Sequence, residues 1–549
     1  MYMAIIAILG TTSAIWLGLR IYHHESAIAE IERAGGKVDR VPAGPAWLRR
    51  LPGGEWPTRA FEHVAQVDLP GSQITDDGLE ALTVLTGIRI LYLDGTQITD
   101  KGLKHLARLD QLEVLGLRGT RISDKGLVEL KGLPKLRYLW LEVTKISDSG
   151  LTHIGGIGTL EYLSLSCTAV SDAGLNQLRG LSRLEYLILG QTRVTGEGIT
   201  FAKQFPRLHD LNMSSTPFTD SGLQSLTGMT VLWGLNLGKT QITDEGLRLL
   251  PSLDSLAYVS LSETQITDDG LKHLATLDSL EDVRLDKTPI TDAGLIELQR
   301  LPKLRTLSLE NTQITDSGLA HLARMTKLQW LDLAFTHVTD DGLKQLLELQ
   351  NLEHVSLIGT QVGDLGVETL RKFPQLNTLS LCLTQVTDAG LLRLSNLRGL
   401  RVLAVNDTII TDSGLAVVEG LPNLTSLNIA RTQISDAGLA HLRGLNKLEL
   451  LEASGTPISD AGLQHLVPLT SLASVSLDDT HVTDAGLKQL RQLPQIWTLN
   501  LHGTGVTDAG LSELKGLANL RDLNLSGTHV NDAGVADLKR ALSGLKIAR

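Results

Sequence analysis

The sequence predicts an α/β solenoid of about twenty stacked 24-residue units, each a short strand followed by a short helix. Three observations carry this prediction. From Ser72 in steps of 24, nineteen threonines stand in register, from Thr96 to Thr528, without an insertion or deletion. Four residues after these twenty positions stands an aspartate in nineteen cases, Asp76 to Asp532, with Gly196 as the exception, and six after stands a glycine in all twenty, Gly78 to Gly534. Within each unit, finally, the apolar period changes from two to a wider, helix-like spacing.

The unit "LRTLSLENTQITDSGLAHLARMTK" (304–327) shows the change of period. Leu307 and Leu309 alternate as in a strand, then Ile314, Leu319 and Leu322 follow at helical spacing. The short polar Thr312 ends the strand, where its hydroxyl can bond backbone groups of its own or the adjacent turn. Asp316, with its equivalents Asp100 and Asp412, is expected to cap the helix, its carboxylate accepting first-turn amides. The glycine two residues on is accounted for equally by close approach of the neighbouring turn or by a positive φ. Each unit has one apolar edge and cannot fold alone. Parallel stacking closes that edge and packs the leucines in columns, at roughly 1.5–3 kcal/mol per fully buried side chain.

The ends depart from the repeat. Met1 to Leu19 carries no charged side chain and has about the minimum length of a membrane-spanning helix. Residues 1–22 are therefore expected to be a transmembrane anchor; a cleaved signal peptide is the rival, but no Lys or Arg precedes the apolar run. Arg20, Arg33, Lys37 and Arg40 lie on its C-terminal side and place the large domain in the cytoplasm by the positive-inside tendency. Residues 23–41 read as a juxtamembrane linker with a short helix ended by Gly35-Gly36. Residues 42–63, with Trp47, Trp56 and Phe61, read as an N-terminal cap. The solenoid runs over 64–542, closing with a polar helix, and 543–549 is a C-terminal tail. Cys167 and Cys382, about nine periods apart, are expected to be free thiols.

The phrase LxxLxLxxT-x-ITD-x-GL-xx-L resembles a leucine-rich repeat. It is closest to the cysteine-containing subclass of F-box-associated proteins and of many bacterial repeat proteins, some membrane-anchored, with threonine where that subclass has cysteine or asparagine. The resemblance implies a curved, right-handed solenoid with a parallel sheet on the concave face and helices on the convex face. It also implies protein–protein recognition rather than catalysis. A ubiquitin-ligase substrate adaptor is a rival within the resemblance, but residues 25 to about 61 offer no convincing adaptor-binding helical module.

Every candidate catalytic group recurs with the structural period, so no catalytic residue, metal ligand or cofactor is assigned and an enzyme is not expected. The histidines His105, His153, His273, His321, His441 and His465 share one helical-side register without further ligands for zinc. Calcium binding by the aspartate column would need several oxygens around each ion.

Counting back from each threonine, positions −6, −4 and −2 point out of the sheet, between inward leucines at −5 and −3. They hold eleven acidic residues against two arginines, Arg118 and Arg284, within a chain of net charge −11. That balance suits a basic or neutral protein partner and disfavours nucleic acid. Five of the seven tyrosines stand on this face, Tyr92 at −4 and Tyr138, Tyr162, Tyr186 and Tyr258 at −6, together with Trp140 and Trp330. Tyr and Trp make interface hot spots, so these seven are the expected binding residues. Duplication of one strand-favouring column accounts for their spacing as well, and the same aromatics would suit a glycan.

Overall fold

The computed structural model describes residues 18–19, 21–42, 62–197, 201–542 and 544–549. Among them no helix is long and apolar enough to cross a membrane. The expected anchor lies outside the described residues except at its C-terminal end, as do Trp47, Trp56 and Phe61 of the expected cap.

The chain divides into two units, Met1–Ser260 and Leu261–Arg549. The first begins with a helix over residues 21–33, which buries Ala27, Ile28 and Ile31. It ends at Gly35 with φ +89°, where Gly36 N–H donates to Ile31 O at 2.9 Å. Strand β1 (Lys37–Pro42) follows and pairs antiparallel with β2 (Glu62–Asp68), with an irregularity between Asp39 and Arg40. Arg40 returns to the helix through Glu25 at 3.0 Å. The first edge of the sheet is thus covered by a segment that the sequence reading treats as a linker. The residues 37–42 are too few to show a strand period on their own.

From β2 onward the strands of the first unit run parallel: β3 (Ile90–Tyr92), β4 (Val114–Gly116), β5 (Tyr138–Trp140), β6 (Tyr162–Ser164), β7 (Tyr186–Ile188), β8 (Asp210–Asn212), β9 (Gly234–Asn236) and β10 (Tyr258–Ser260). In the second unit β11 (Asp282–Arg284), β12 (Thr306–Ser308), β13 (Trp330–Asp332) and β14 (His354–Ser356) begin a parallel series at the same spacing. It runs on to β21 (Asp522–Asn524) and β22 (Lys546–Ala548). The last strand falls in the expected tail, where "KIA" is too short to declare itself. In both units the −5 and −3 leucines, such as Leu139, Leu141, Leu307 and Leu309, are fully buried, as the alternation predicts.

The threonine column bonds its own turn. Thr96 and Thr312 donate their hydroxyls to the carbonyls of Leu93 and Leu309, each at 2.6 Å. The residue just before each of these positions has positive φ in all twenty turns, seven of them glycine and thirteen not, from Val143 to Asp479. A left-handed residue with a side chain is unfavourable by roughly 1–2 kcal/mol. It is held here because its N–H continues the ladder into the next turn, as Val143 does to Ser166 O at 3.0 Å.

The aspartates do not cap their helices, contrary to the expectation for Asp100, Asp316 and Asp412. Each is the first helical residue, and the cap is the Thr before it: Thr99, Thr315 and Thr411 accept from the amides of Lys101, Ser317 and Ser413. The carboxylates are drawn instead to the following turn. Ser123 donates its amide to Asp100 Oδ1 and its hydroxyl to Oδ2, both at 2.6 Å. Thr339 does the same to Asp316 at 2.8 and 2.6 Å, and Ser435 to Asp412 at 2.7 and 2.6 Å. A hydroxyl that both donates to a carboxylate and accepts from its own helix satisfies two requirements with one atom, which a carboxylate acceptor alone could not do.

This staple also accounts for the glycine column. A Cβ on Gly126 would stand 2.6 Å from Asp100 Oδ1 and 2.8 Å from Leu103 Cδ1. Close approach of the preceding turn, and not a positive φ, excludes side chains there. Gly196 marks the one interruption in the aspartate column; in the next turn Thr219, with no carboxylate before it, meets Ser221 Oγ at 2.8 Å, which donates to Glu197 at 2.7 Å.

A double-mutant cycle on Asp100→Ala and Ser123→Ala, read by urea unfolding, should give a coupling of about 1–2 kcal/mol. Gly126→Ala should destabilise the wild-type chain and cost less in the Asp100→Ala background. Additive losses for both pairs would show that the carboxylate acts within its own turn.

Candidate functional site

The alternation that buries the leucines turns positions −6, −4 and −2 outward, and register then decides which of them meet. In the first unit Tyr138, Tyr162 and Tyr186 lie in register on β5, β6 and β7. Their ring centroids are 6.4 and 6.1 Å apart along the column. Trp140 joins from the −4 column, 5.0 Å from Tyr162 and 6.3 Å from Tyr138.

Tyr92 reaches the same cluster across an intervening strand, its ring 6.1 Å from Trp140. Gly116 lies between them in the −4 column, and a Cβ there would stand 2.8 Å from Tyr92 Cδ1 and 2.6 Å from Asp94 Oδ2. The missing side chain gives Tyr92 its room. Five of the seven expected residues thus form one contiguous aromatic surface, all part-exposed.

The other two stand apart from it. Tyr258 is on β10, beyond Asp210 and Gly234 in the −6 column. Trp330 belongs to the second unit, where its ring lies 4.4 Å from that of His354 and the Arg284 guanidinium lies 6.0 Å from its centroid. The sequence reading offers no role for His354. Its signal, an aromatic-capable side chain one period after Trp330, is visible only once adjacent turns are laid side by side.

Carboxylates border the aromatic surface. Asp94 accepts from the Arg118 amide at 2.8 Å, and burial pushes its carboxyl above the ordinary range despite that bond. Burial alone raises Asp210 as well. The Tyr162 phenol is raised by burial first and by the charge of Glu142 second. Glu142, at −2 and two residues past Trp140, keeps Oε2 buried with no hydrogen-bond partner among the described residues, and so does the Ser164 hydroxyl. Ser164 pairs in register with Trp140 and is fully buried.

Along the strand entries a second charged row flanks the rings. Arg89 meets Glu113 at 2.8 Å, and Arg137 meets Glu161 at 2.5 Å. Arg137 also lies 5.4 Å from the centroid of the Tyr138 ring, whose hydroxyl donates to Glu161 at 3.5 Å.

The face therefore offers ring faces, acceptors and negative charge. Among the described residues no group of three or more His, Cys, Asp or Glu side chains is placed to hold a metal ion. On the helical side His441 Nδ1 meets Glu419 at 2.6 Å. Both cysteines are free, Cys167 exposed and Cys382 buried, with burial raising the Cys382 thiol.

Two family models match the chain, one for a leucine-rich repeat region over residues 124–389 and one for a leucine-rich repeat over 420–442 and 516–539. No curated protein matches it by sequence. Among solved structures it is similar to an internalin from Listeria monocytogenes, at 27% identity over 60% of this chain and 88% of that one, with a TM-score of 0.45. It is similar also to an LRR protein of Leptospira interrogans, at 18% identity over 68% and 92% of the two chains, TM-score 0.44. A TLR13–ssRNA13 complex shares the fold at 19% identity, covering 85% of this chain and 78% of that one, with a TM-score of 0.51.

Asp210 tests the electrostatics of the site. A carboxyl raised on folding stabilises the fold below the unfolded-state pKa of about 3.9 and loses that contribution as pH rises through its folded value. Asp210→Asn should therefore raise stability at pH 7 and make no difference near pH 3; a gain independent of pH would contradict the burial assignment. On the same strands Leu139→Ala should cost about 2–5 kcal/mol and Tyr162→Ala much less, by chemical denaturation.

Proposed function

We propose that this leucine-rich-repeat protein is a recognition scaffold that binds a protein partner on the outward face of its sheet, centred on Tyr92, Tyr138, Trp140, Tyr162 and Tyr186. The observation that carries the reading is the joining of these five rings into one surface across β3 to β7. Rings held against one another offer large rigid area at low entropy cost on binding. Repetition alone explains the tyrosine column, but it does not explain Trp140 or the glycine that lets Tyr92 reach it.

The charge of the face favours a basic or neutral partner. The fold neighbour solved with ssRNA13 does not carry an RNA ligand over to this chain, because eleven acidic residues against two arginines repel a phosphate backbone. The reading is of a binding protein and not an enzyme. Within the family, the phrase LxxLxLxxT-x-ITD-x-GL-xx-L puts the chain nearest to the cysteine-containing subclass in this reading, with threonine where that subclass has cysteine or asparagine. The apolar run Met1–Leu19 supports an N-terminal membrane anchor, with the basic residues that follow it favouring a cytoplasmic scaffold.

Alanine at Trp140 and at Tyr162 should each weaken partner binding by about 2 kcal/mol or more, measured by calorimetry on a partner crosslinked and purified from native membranes. Unchanged affinity in both would remove the patch from the interface. Retention on a glycan array, lost in the same variants, would turn the reading to carbohydrate.

A further inference from the structure

We propose that the aromatic surface of β3 to β7 is a seat for an arginine side chain of the partner, its guanidinium lying over the Trp140 and Tyr162 rings with Glu142 as counter-ion. This rests on the reading of the sheet face as the recognition surface and names what that surface selects.

Three observations point to a cation of this kind. Glu142 stands two residues past Trp140 and Ser164 pairs with it in register, and each keeps a buried oxygen without a hydrogen-bond partner among the described residues. A carboxylate oxygen in that state is unfavourable and is relieved by a charged donor. The rings beside them, 5.0 Å apart, present π faces that attract cations.

The chain also uses the same chemistry within itself. Arg137 lies 5.4 Å from the centroid of the Tyr138 ring and pairs with Glu161, and Arg284 lies 6.0 Å from that of Trp330 and pairs with Asp282. Each arrangement is an arginine, a ring and a carboxylate. At Trp140, Tyr162 and Glu142 the ring and the carboxylate are present, and no arginine among the described residues is placed between them.

A guanidinium fits better than an ammonium, since it is planar, stacks on rings and gives paired donors to a carboxylate. The other charges around the seat are mixed. Asp94 and Asp210 add to the attraction. Arg118, one turn before Glu142 in the −2 column, is exposed and opposes it.

The test uses the full-length chain and a heptapeptide of arginine, with the neutral isostere heptacitrulline as control, followed by calorimetry. Heptaarginine should bind and heptacitrulline should not. Glu142→Gln should weaken heptaarginine about tenfold, whereas Glu310→Gln, which removes the same charge from the same column of the second unit, should leave it unchanged. Arg118→Gln should tighten it. Circular dichroism confirms that the variants are folded.

Equal losses in Glu142→Gln and Glu310→Gln would mean attraction to general acidity and would overturn the seat. Failure of this inference is separable from failure of the docking surface. A native partner that loses affinity in Trp140→Ala but not in Glu142→Gln sinks the arginine seat and leaves the surface standing. A partner indifferent to both sinks the surface itself.

Discussion

The bond between each aspartate and the next turn is the constraint on which the rest of the structure depends. A carboxylate at the first residue of a helix reaches forward to the amide and hydroxyl of a Ser or Thr one turn later, as Asp100 does to Ser123. Charge-assisted bonds of this kind contribute about 1.5–3 kcal/mol each. Because the bond is directional it also fixes how far one turn is displaced from the next. Column packing of leucines supplies the larger energy, but it is non-directional and would tolerate slippage.

Two further columns follow from that bond. The glycine six residues after the threonine is the space the carboxylate occupies, as the approach of Asp100 to Gly126 shows. The hydroxyl that receives the aspartate is held in place for its second task, capping its own helix. With displacement fixed, strands align in register, and the aromatic residues of β5, β6 and β7 meet because their turns must. The aromatic surface is thus a consequence of the same geometry that stabilises the scaffold.

Much of this was legible in the sequence, and for one reason: period. The strand-then-helix unit, the parallel stacking, the inward leucines and the outward positions all follow from spacing, and the structure places them accordingly. The aspartate role differs from the expectation because spacing within a unit cannot say whether a side chain serves its own turn or its neighbour. Asp316 next to a helix start looks like a cap until Thr315 is seen to occupy that position. The left-handed residue before each threonine is not legible in the sequence, because thirteen of the twenty carry side chains and composition gives no warning. At the edges, β1 stands outside the repeat, whereas β22 keeps the 24-residue step from β21 but carries none of the threonine, aspartate and glycine that mark the other turns. In the site, the tyrosine column was visible, whereas Gly116 as the space beneath Tyr92 and the unpaired oxygen of Glu142 depend on contacts between turns.

On the function proposed above, the partner docks on the sheet face shaped by these columns. Site-specific photo-crosslinking tests it most directly, with a benzophenone residue placed in the full-length chain either at Ser166, in the −2 column beside Glu142, or at Lys131, exposed on the helical side. A crosslinked partner is expected from position 166 and none from position 131. Crosslinking from position 131 alone would contradict it.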